Sequence, residues 1–462
     1  MEKKANYSPV EWSFVDTKPI FKAYDIRGTY PDQIDERLAR AVGSAFATFA
    51  AVPRIVIARD MRPSGVALCE AFAEGARAVG VSVIDLGLAS TDFLYFATGF
   101  LDAPGAMFTA SHNPAKYNGI KLCLAGARPV GVETGLADIE AMTVTYYDRP
   151  ASGELASIAD LDLMDEWVAH VHSFVDVKSL GPIKIVADAA NGMGGLVAPK
   201  VFAGLPFDVE IMYGELDGTF PNHPADPLNA ENLRDLQSRV LATGADVGLA
   251  FDGDADRVFL IDEKAQPVSG STTTAMVAAA MLHRHPGATI LYNLICSKSV
   301  PEVIGENGGV AVRTRVGHSY IKQVMADTGA VFGGEHSGHY YYRDNYRADS
   351  GIITAMVVLE LLSQSGSSMS ELARPFIRYS DSGEINTVVD DPAAVVAAMT
   401  EHLRGGAAAI DTLDGLTADF GDWWFNMRPS NTEPLLRLNV EAGDDAQCRA
   451  RVNEVLTMIK EL

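Results

Sequence analysis

Short apolar runs rich in Val and Ile recur along this chain, each emptying into a polar loop ahead of a longer helical pattern. Residues 54–60 and 81–86 read as two such strands, joined by a helix over 64–79 with Leu68, Phe72, Ala76 and Val79 on one face. This βαβ rhythm requires parallel or mixed sheets with helices on their faces. It restarts at 184–188, which runs into Asn191-Gly192-Met193-Gly194-Gly195, and again at 288–293 after a His/Pro/Gly break at 283–287. Three similar α/β units are expected. The end of the chain differs. A strand over 379–389, a helix over 392–404, strands near 422–427 and 434–441 and a helix over 444–460 make an α+β module. At 462 residues the chain exceeds one core, and three or four domains of roughly 100–150 residues are expected. Asp/Ala/Gly-rich stretches near 148–160 and 262–270 read as linkers.

The net charge of −23 creates a field that repels nucleic acid and anionic membrane surfaces. Any phosphorylated ligand must then be met by a local cluster of Arg and Lys. Cys69, Cys123, Cys296 and Cys448 are scattered, without CxxC or Cys/His spacing, which speaks against a zinc site and for a reducing cytoplasm. No apolar run reaches the roughly 18 residues of a membrane span, the Ala-rich stretch near 275–282 reads as a buried helix, and the start leads into no signal-peptide core.

Four loops carry the chemistry. In Asp252-Gly253-Asp254-Ala255-Asp256-Arg257, three carboxylates alternate between two apolar, strand-like flanks. An EF-hand also has acids at positions 1, 3 and 5, but its obligatory glycine is replaced here by Arg257, and its helices by strands. Three carboxylates so placed repel one another without a cation. With positions left over for water or a phosphate oxygen, the set suits Mg²⁺. In Thr109-Ala110-Ser111-His112-Asn113-Pro114, Ser111 follows an apolar strand, and Pro114 restricts Asn113 to extended backbone. A serine phosphate ester can be held and polarised by a cation, although such a string alone also reads as a solvated turn. Lys121, ten residues on, reads by itself as a surface lysine. Gly333-Gly334-Glu335-His336-Ser337-Gly338-His339 mixes a carboxylate, two imidazoles and a hydroxyl, a set suited to sugar hydroxyls and proton transfer, or to a plain loop. Arg428-Pro429-Ser430-Asn431-Thr432-Glu433-Pro434 is an anion cradle or a turn. Near the start, Tyr24-Asp25-Ile26-Arg27-Gly28 puts another arginine on a loop.

In this order the strings resemble the α-D-phosphohexomutase superfamily, in its bacterial phosphomannomutase/phosphoglucomutase branch, over essentially the whole chain. The resemblance implies four domains around a central cleft: three similar mixed α/β sandwich domains (1–158, 159–262 and 263–374) and a C-terminal α+β domain of the TATA-box-binding-like group (375–462). It implies an enzyme that interconverts hexose 1-phosphate and hexose 6-phosphate, of mannose or glucose, through a phosphoserine and a hexose 1,6-bisphosphate. Carried over by motif, Ser111 is the phosphoserine, and Asp252, Asp254 and Asp256, with a phosphoserine oxygen, are the Mg²⁺ ligands. Arg257 lies beside them. Lys121 and His339 match the proton-transfer groups. Tyr24 and Arg27 match the first-domain loop, Gly317-His318-Ser319 a loop that orients the sugar, and Glu335 and Ser337 the sugar-reading loop. Arg428, Ser430, Asn431 and Thr432 match the distal phosphate cradle. The expected partners are small sugar phosphates in the cytoplasm, with neither nucleic acid nor membrane. His336 departs from the Met or Gln of relatives, and Lys298 stands two or three positions from a basic residue some of them carry. A phosphoglucosamine mutase, with Gln at the His336 position, is the nearest rival. An aspartyl-phosphate phosphatase using Asp252, or a structural metal site in a sugar-binding protein, are more distant ones.

Overall fold

The computed structural model describes residues 17–149, 154–406, 409–430 and 435–461, with the backbone alone at His318 and Ser319. Four sheets follow one another. The first runs Ile26–Thr29, Tyr117–Leu124, Gly105–Phe108, Arg54–Arg59, Ser82–Leu88, Ile158–Asp160, with Arg128–Pro129 added beside Tyr117–Leu124. The second runs Pro267–Val268, Val258–Asp262, Val247–Phe251, Ile183–Asp188, Phe207–Met212, and the third Val310–Thr314, Thr289–Asn293, Phe332–Gly334, Tyr340–Tyr342. The fourth is wholly antiparallel: Ser380–Val388, Leu435–Ala442, Trp423–Pro429, Leu416–Asp419, Ala409–Asp411.

One device recurs. In each of the first three sheets a strand that lies parallel to its neighbour turns back as an antiparallel hairpin: Gly105–Phe108 into Tyr117–Leu124, Val247–Phe251 into Val258–Asp262, Phe332–Gly334 into Tyr340–Tyr342. In the fourth, Trp423–Pro429 turns back into Leu435–Ala442. The loops of these four hairpins are the serine, aspartate, sugar and phosphate strings.

The Val/Ile runs form strands because both faces are covered. Along Arg54–Arg59, Ile55 and Ile57 pack under helices Glu36–Ala50 and Gly65–Ala78, while Val56 and Ala58 face the opposite way into a second core. That second core runs without interruption through all three α/β units, from Val56 to Ala373. The fourth unit keeps its own core, in which Phe425, Met427, Leu438 and Val440 pack against helices Pro392–Leu403 and Asp445–Glu461.

Both expected linkers carry regular structure of their own. The stretch 148–160 ends in strand Ile158–Asp160, which pairs with Ser82–Leu88 because an open sheet edge captures passing backbone. The stretch 262–270 is the turn of a hairpin that pairs Leu260 with Val268, followed by the start of a buried helix, Gly270–Arg284. Arg27 lies on strand Ile26–Thr29 rather than on a loop, and Lys121 is a buried strand residue rather than a surface lysine. Among the described residues no single helix is long and apolar enough to cross a membrane.

Candidate active site

The flanking strands Val247–Phe251 and Val258–Asp262 are buried along their whole length and in register at Phe251 and Val258. The six residues between them must therefore turn within the protein. Asp252, Asp254 and Asp256 are each 0% exposed, and one oxygen of each lies within 4.8 Å of the others. Ser111 reaches this loop from the first sheet. Its φ is 49°, a left-handed backbone that costs a residue other than glycine roughly 1–2 kcal/mol. Its Oγ donates to Asp252 Oδ2 at 2.8 Å and accepts from Arg257 Nη2 at 3.0 Å. Arg257 Nε donates to Asp252 Oδ2 at 2.9 Å. Lys121 Nζ donates to Asp254 Oδ2 at 3.0 Å and Asp256 Oδ2 at 2.6 Å. Thr91, at the start of helix Thr91–Phe100, donates its hydroxyl to Asp254 Oδ2 at 2.6 Å and its N–H to the Asp254 carbonyl at 3.1 Å.

Three buried carboxylates thus face two cations, which leaves one negative charge in excess. Burial, opposed by Arg257 and reinforced by Asp254 and Asp256, pushes the Asp252 carboxyl up to about 7. Burial acts on Asp254 too, but Lys121 and the Thr91 hydroxyl outweigh it and hold that carboxyl below the usual range. Burial disfavours the Lys121 ammonium, yet Asp254 and Asp256 keep it charged well above the ordinary lysine value. Asp254 Oδ1 and Asp256 Oδ1 are buried and accept no hydrogen bond among the described residues. Orphaned buried carboxylate oxygens are costly. With two of them in a cluster of excess negative charge, Asp252, Asp254 and Asp256 could hold a metal ion.

The sugar loop is bolted to the aspartate loop by a backbone bridge between Arg257 and His339. His339 Nδ1 lies 2.8 Å from Asp349 Oδ2 and 3.8 Å from Asp256 Oδ1. Burial weakens the imidazolium, but Asp256 and Asp349 prevail and raise its pKa. Behind Asp349 stands Lys322, 2.9 Å away in a fully buried ion pair and 3.9 Å from the Tyr95 ring centroid. Glu335 is buried, accepting from the Tyr341 hydroxyl at 2.5 Å, Asn293 Nδ2 at 3.2 Å and the Gly317 N–H at 3.3 Å. Ser337 is half-buried in the same turn. His336 points elsewhere: its Nδ1 is 3.1 Å from Ser271 Oγ, in a crevice shared with Asp381, Trp424 and Glu441 of the fourth unit.

Arg27 donates to Asn113 Oδ1 at 2.7 Å and Asp25 Oδ2 at 2.5 Å, while its Nε is buried without a partner among the described residues. Tyr24 crosses to the third unit, where its ring meets Tyr320 edge-on at 5.8 Å. A Cβ on Gly317, whose φ is 129°, would lie 2.6 Å from the Tyr24 hydroxyl. His318 opens helix His318–Thr328, but its side chain lies outside the described residues, as do Asn431 and Thr432. Arg428 is buried on its strand and donates to Glu384 Oε2 at 2.6 Å, Asn439 Oδ1 at 2.9 Å and Asn426 Oδ1 at 3.1 Å. Ser430 follows it, its N–H donating to the Leu435 carbonyl at 2.8 Å. Lys298 is committed to the fourth unit, donating to Asp419 Oδ1 at 2.7 Å and the Gly421 carbonyl at 2.8 Å. Thr91, Asp349, Lys322 and Glu384 escaped sequence reasoning. For the first two a signal existed: Ser90-Thr91-Asp92 and Asp349-Ser350 are helix-start patterns ahead of apolar runs.

Four family models match in chain order: phosphoglucomutase/phosphomannomutase alpha/beta/alpha domain I over residues 18–148, domain II over 165–266, domain III over 269–379, and the C-terminal domain over 384–458. A protein described as phosphohexose mutases from Xanthomonas campestris pv. campestris (strain B100) is 41% identical over 449 residues, 96% of this chain and 100% of the relative. A phosphomannomutase of Escherichia coli (strain K12) is 38% identical over 451 residues, 96% of this chain and 99% of the relative. The crystal structure of a phosphoglucomutase/phosphomannomutase family protein from Burkholderia thailandensis superposes with a TM-score of 0.87 at 30% identity, over 96% of this chain and 97% of that one. Matched across all four domains and along its full length, the chain belongs to the phosphoglucomutase/phosphomannomutase family and is a hexose-phosphate mutase.

Proposed function

We propose that the chain interconverts the 1- and 6-phosphates of mannose, glucose or both through a phosphate carried on Ser111 and a hexose 1,6-bisphosphate that also primes the enzyme. The observation that carries this reading is the Ser111 hydroxyl held between Asp252 and Arg257, beside the Lys121-bridged pair Asp254 and Asp256. Asp252, Asp254 and Asp256, with Ser111, would hold Mg²⁺, whose chemistry when bound is to neutralise charge on phosphoryl oxygens.

The protein's own groups supply the rest. A sugar monophosphate places its phosphate on Arg428, Ser430, Asn431 and Thr432. Arg428 then exchanges the Glu384 carboxylate for another anion of similar geometry. Tyr24, His318, Glu335 and Ser337 hold the sugar. Glu335 Oε2 already accepts two hydrogen bonds, while Oε1 accepts one and retains acceptor capacity for a sugar hydroxyl. The free sugar hydroxyl attacks the phosphate on Ser111. Arg257 faces the serine oxygen that takes up charge as its bond to phosphorus breaks. Arg27, with its unpartnered Nε, faces the same loop and offers a donor to the moving group. His339 donates through Nδ1 to Asp349, which leaves Nε2 to accept the hydroxyl proton. Lys121, fixed between two carboxylates, serves as a charge or an acid. The bisphosphate turns end over end and returns a phosphoryl group to Ser111.

Asp252 is poorly suited to be a phosphatase nucleophile, because its oxygens already accept from Ser111 Oγ and from the Arg257 Nε and N–H. The four cysteines are free and buried, which supports a cytoplasmic setting. With protein primed by glucose 1,6-bisphosphate and Mg²⁺, the turnover of mannose 1-phosphate and of glucose 1-phosphate tests the reading. Conversion of at least one to its 6-phosphate is expected, and conversion of neither overturns it.

A further inference from the structure

Arg62 lies immediately beyond strand Arg54–Arg59, outside every motif that the chemistry above uses. It is among the largest side chains in the molecule to be fully buried. A guanidinium has five N–H donors, and all five of Arg62's are engaged. Nε donates to Asp60 Oδ2 at 3.2 Å, Nη1 to the carbonyls of Pro114 and Tyr117 at 2.9 Å each, and Nη2 to the carbonyls of Ser111 at 2.9 Å and Asn113 at 2.6 Å. Four carbonyls of the seven-residue segment 111–117 therefore converge on one cation. Asp60 supplies the counter-charge, and its Oδ1 accepts the Arg62 N–H at 2.9 Å. The second unit closes over this arrangement. The Phe220 ring lies 5.1 Å from the guanidinium carbon, and Gly218 sits so close that a Cβ there would be 2.6 Å from Arg62 Cα.

We propose that Arg62 is the positioning residue of the phosphoryl-carrying loop: by gathering the loop's carbonyl oxygens behind Ser111, it keeps their negative ends off the phosphate and holds the hydroxyl on Asp252 and Arg257. A carbonyl turned toward a phosphate dianion repels it, and Ser111 occupies a left-handed conformation that its side chain does not favour. The loop needs an external hold, and charge-assisted hydrogen bonds sealed from water provide a strong one. Arg62 touches neither the sugar nor the phosphate in this scheme. Its effect passes through backbone geometry alone, and it rests on the phosphoserine reading given above.

Arg62→Lys and Arg62→Gln test the assignment. Lysine keeps the charge, but its three tetrahedral donors cannot serve four carbonyls and a carboxylate. Both variants are expected to lose about a hundredfold in kcat, the scale of a reacting group displaced by ~1 Å. KM for glucose 1-phosphate should stay within about threefold, because the sugar and distal phosphate contacts are untouched. Circular dichroism and the melting profile of the aspartate-bearing unit should match the wild type. Wild-type kcat in Arg62→Lys overturns the assignment, since charge alone would then suffice. Loss of the folded spectrum in both variants also overturns it, by making Arg62 a residue of the whole fold rather than of the loop. A wild type that takes no phosphate on Ser111 from glucose 1,6-bisphosphate brings down the mutase chemistry itself, and is told apart by being seen without any variant.

Discussion

The two ends of the cleft are built differently. Around Ser111 the three aspartates, Lys121 and Arg257 are buried and tied across units: Thr91 and Lys121 from the first reach Asp254, and His339 from the third bridges to Arg257. The apolar core beneath runs unbroken through all three units. At the Arg428 end the fourth unit has a separate core and meets its neighbours through polar contacts. Lys298 pairs with Asp419 at 2.7 Å, its N–H donates to Glu441 at 3.0 Å, and the Val316 N–H donates to Asp414 at 3.2 Å. Ion pairs of this exposure contribute about 0–1 kcal/mol each, whereas the shared core loses several kcal/mol for each large side chain truncated. The Ser111 end is thus fixed, and the Arg428 end is seated on a weaker joint. Under the proposed function, that leaves the loop meant for the distal phosphate more freedom than the loop meant to carry the phosphoryl group.

Substitutions at the two ends should therefore have different signatures. Ser111→Ala removes the acceptor of the phosphoryl group and should lower kcat by at least ~10⁴-fold in steady-state assays, with the melting temperature unchanged. Asp254→Asn leaves Lys121 and Thr91 in place but removes a charge from the carboxylate set. It should cost about 10³-fold in kcat and raise the Mg²⁺ concentration for half-maximal rate, read from metal titrations. Phe425→Ala should destabilise the fourth unit by about 3–5 kcal/mol and split a single calorimetric transition into two, the upper one unmoved. Arg428→Ala should act on KM for the sugar phosphate by roughly ten- to a hundredfold, with kcat changed far less, because a charge-assisted contact to the distal phosphate is lost. Lys298→Ala, at the joint, should shift the melting temperature by no more than about 1 kcal/mol implies. A larger loss would mean that the fourth unit is as firmly fixed as the other three.

Much of this was readable in advance because chemistry and periodicity are both local. Runs such as 247–251 and 258–262 are apolar on both faces, and only a covered strand tolerates that. Asp252, Asp254 and Asp256 lie within five residues, so their mutual repulsion is visible in the string itself. The partners of those groups were not readable. Thr91 is 163 positions from Asp254, Arg62 is 49 from Ser111, and Arg428 meets Glu384 across 44. Nothing in a neighbouring residue announces such contacts; the sheet order creates them. Lys121 was misread for the same reason: a lone lysine in an apolar strand looks like a surface residue until the opposing carboxylates are known. Both linker stretches fall where one matched domain gives way to the next, at 148–165 and 266–269; what composition did not show is that they also carry pairing, as in the hairpin that joins Ile261 to Pro267.

The most direct test of the account is to locate the phosphate. After incubation with glucose 1,6-bisphosphate and Mg²⁺, peptide mapping by mass spectrometry should place a single phosphoryl group on Ser111, and it should disappear on addition of excess hexose monophosphate with the bisphosphate removed. Phosphate on Asp252, or a Ser111 that stays unmodified while the sugar turns over, would contradict it.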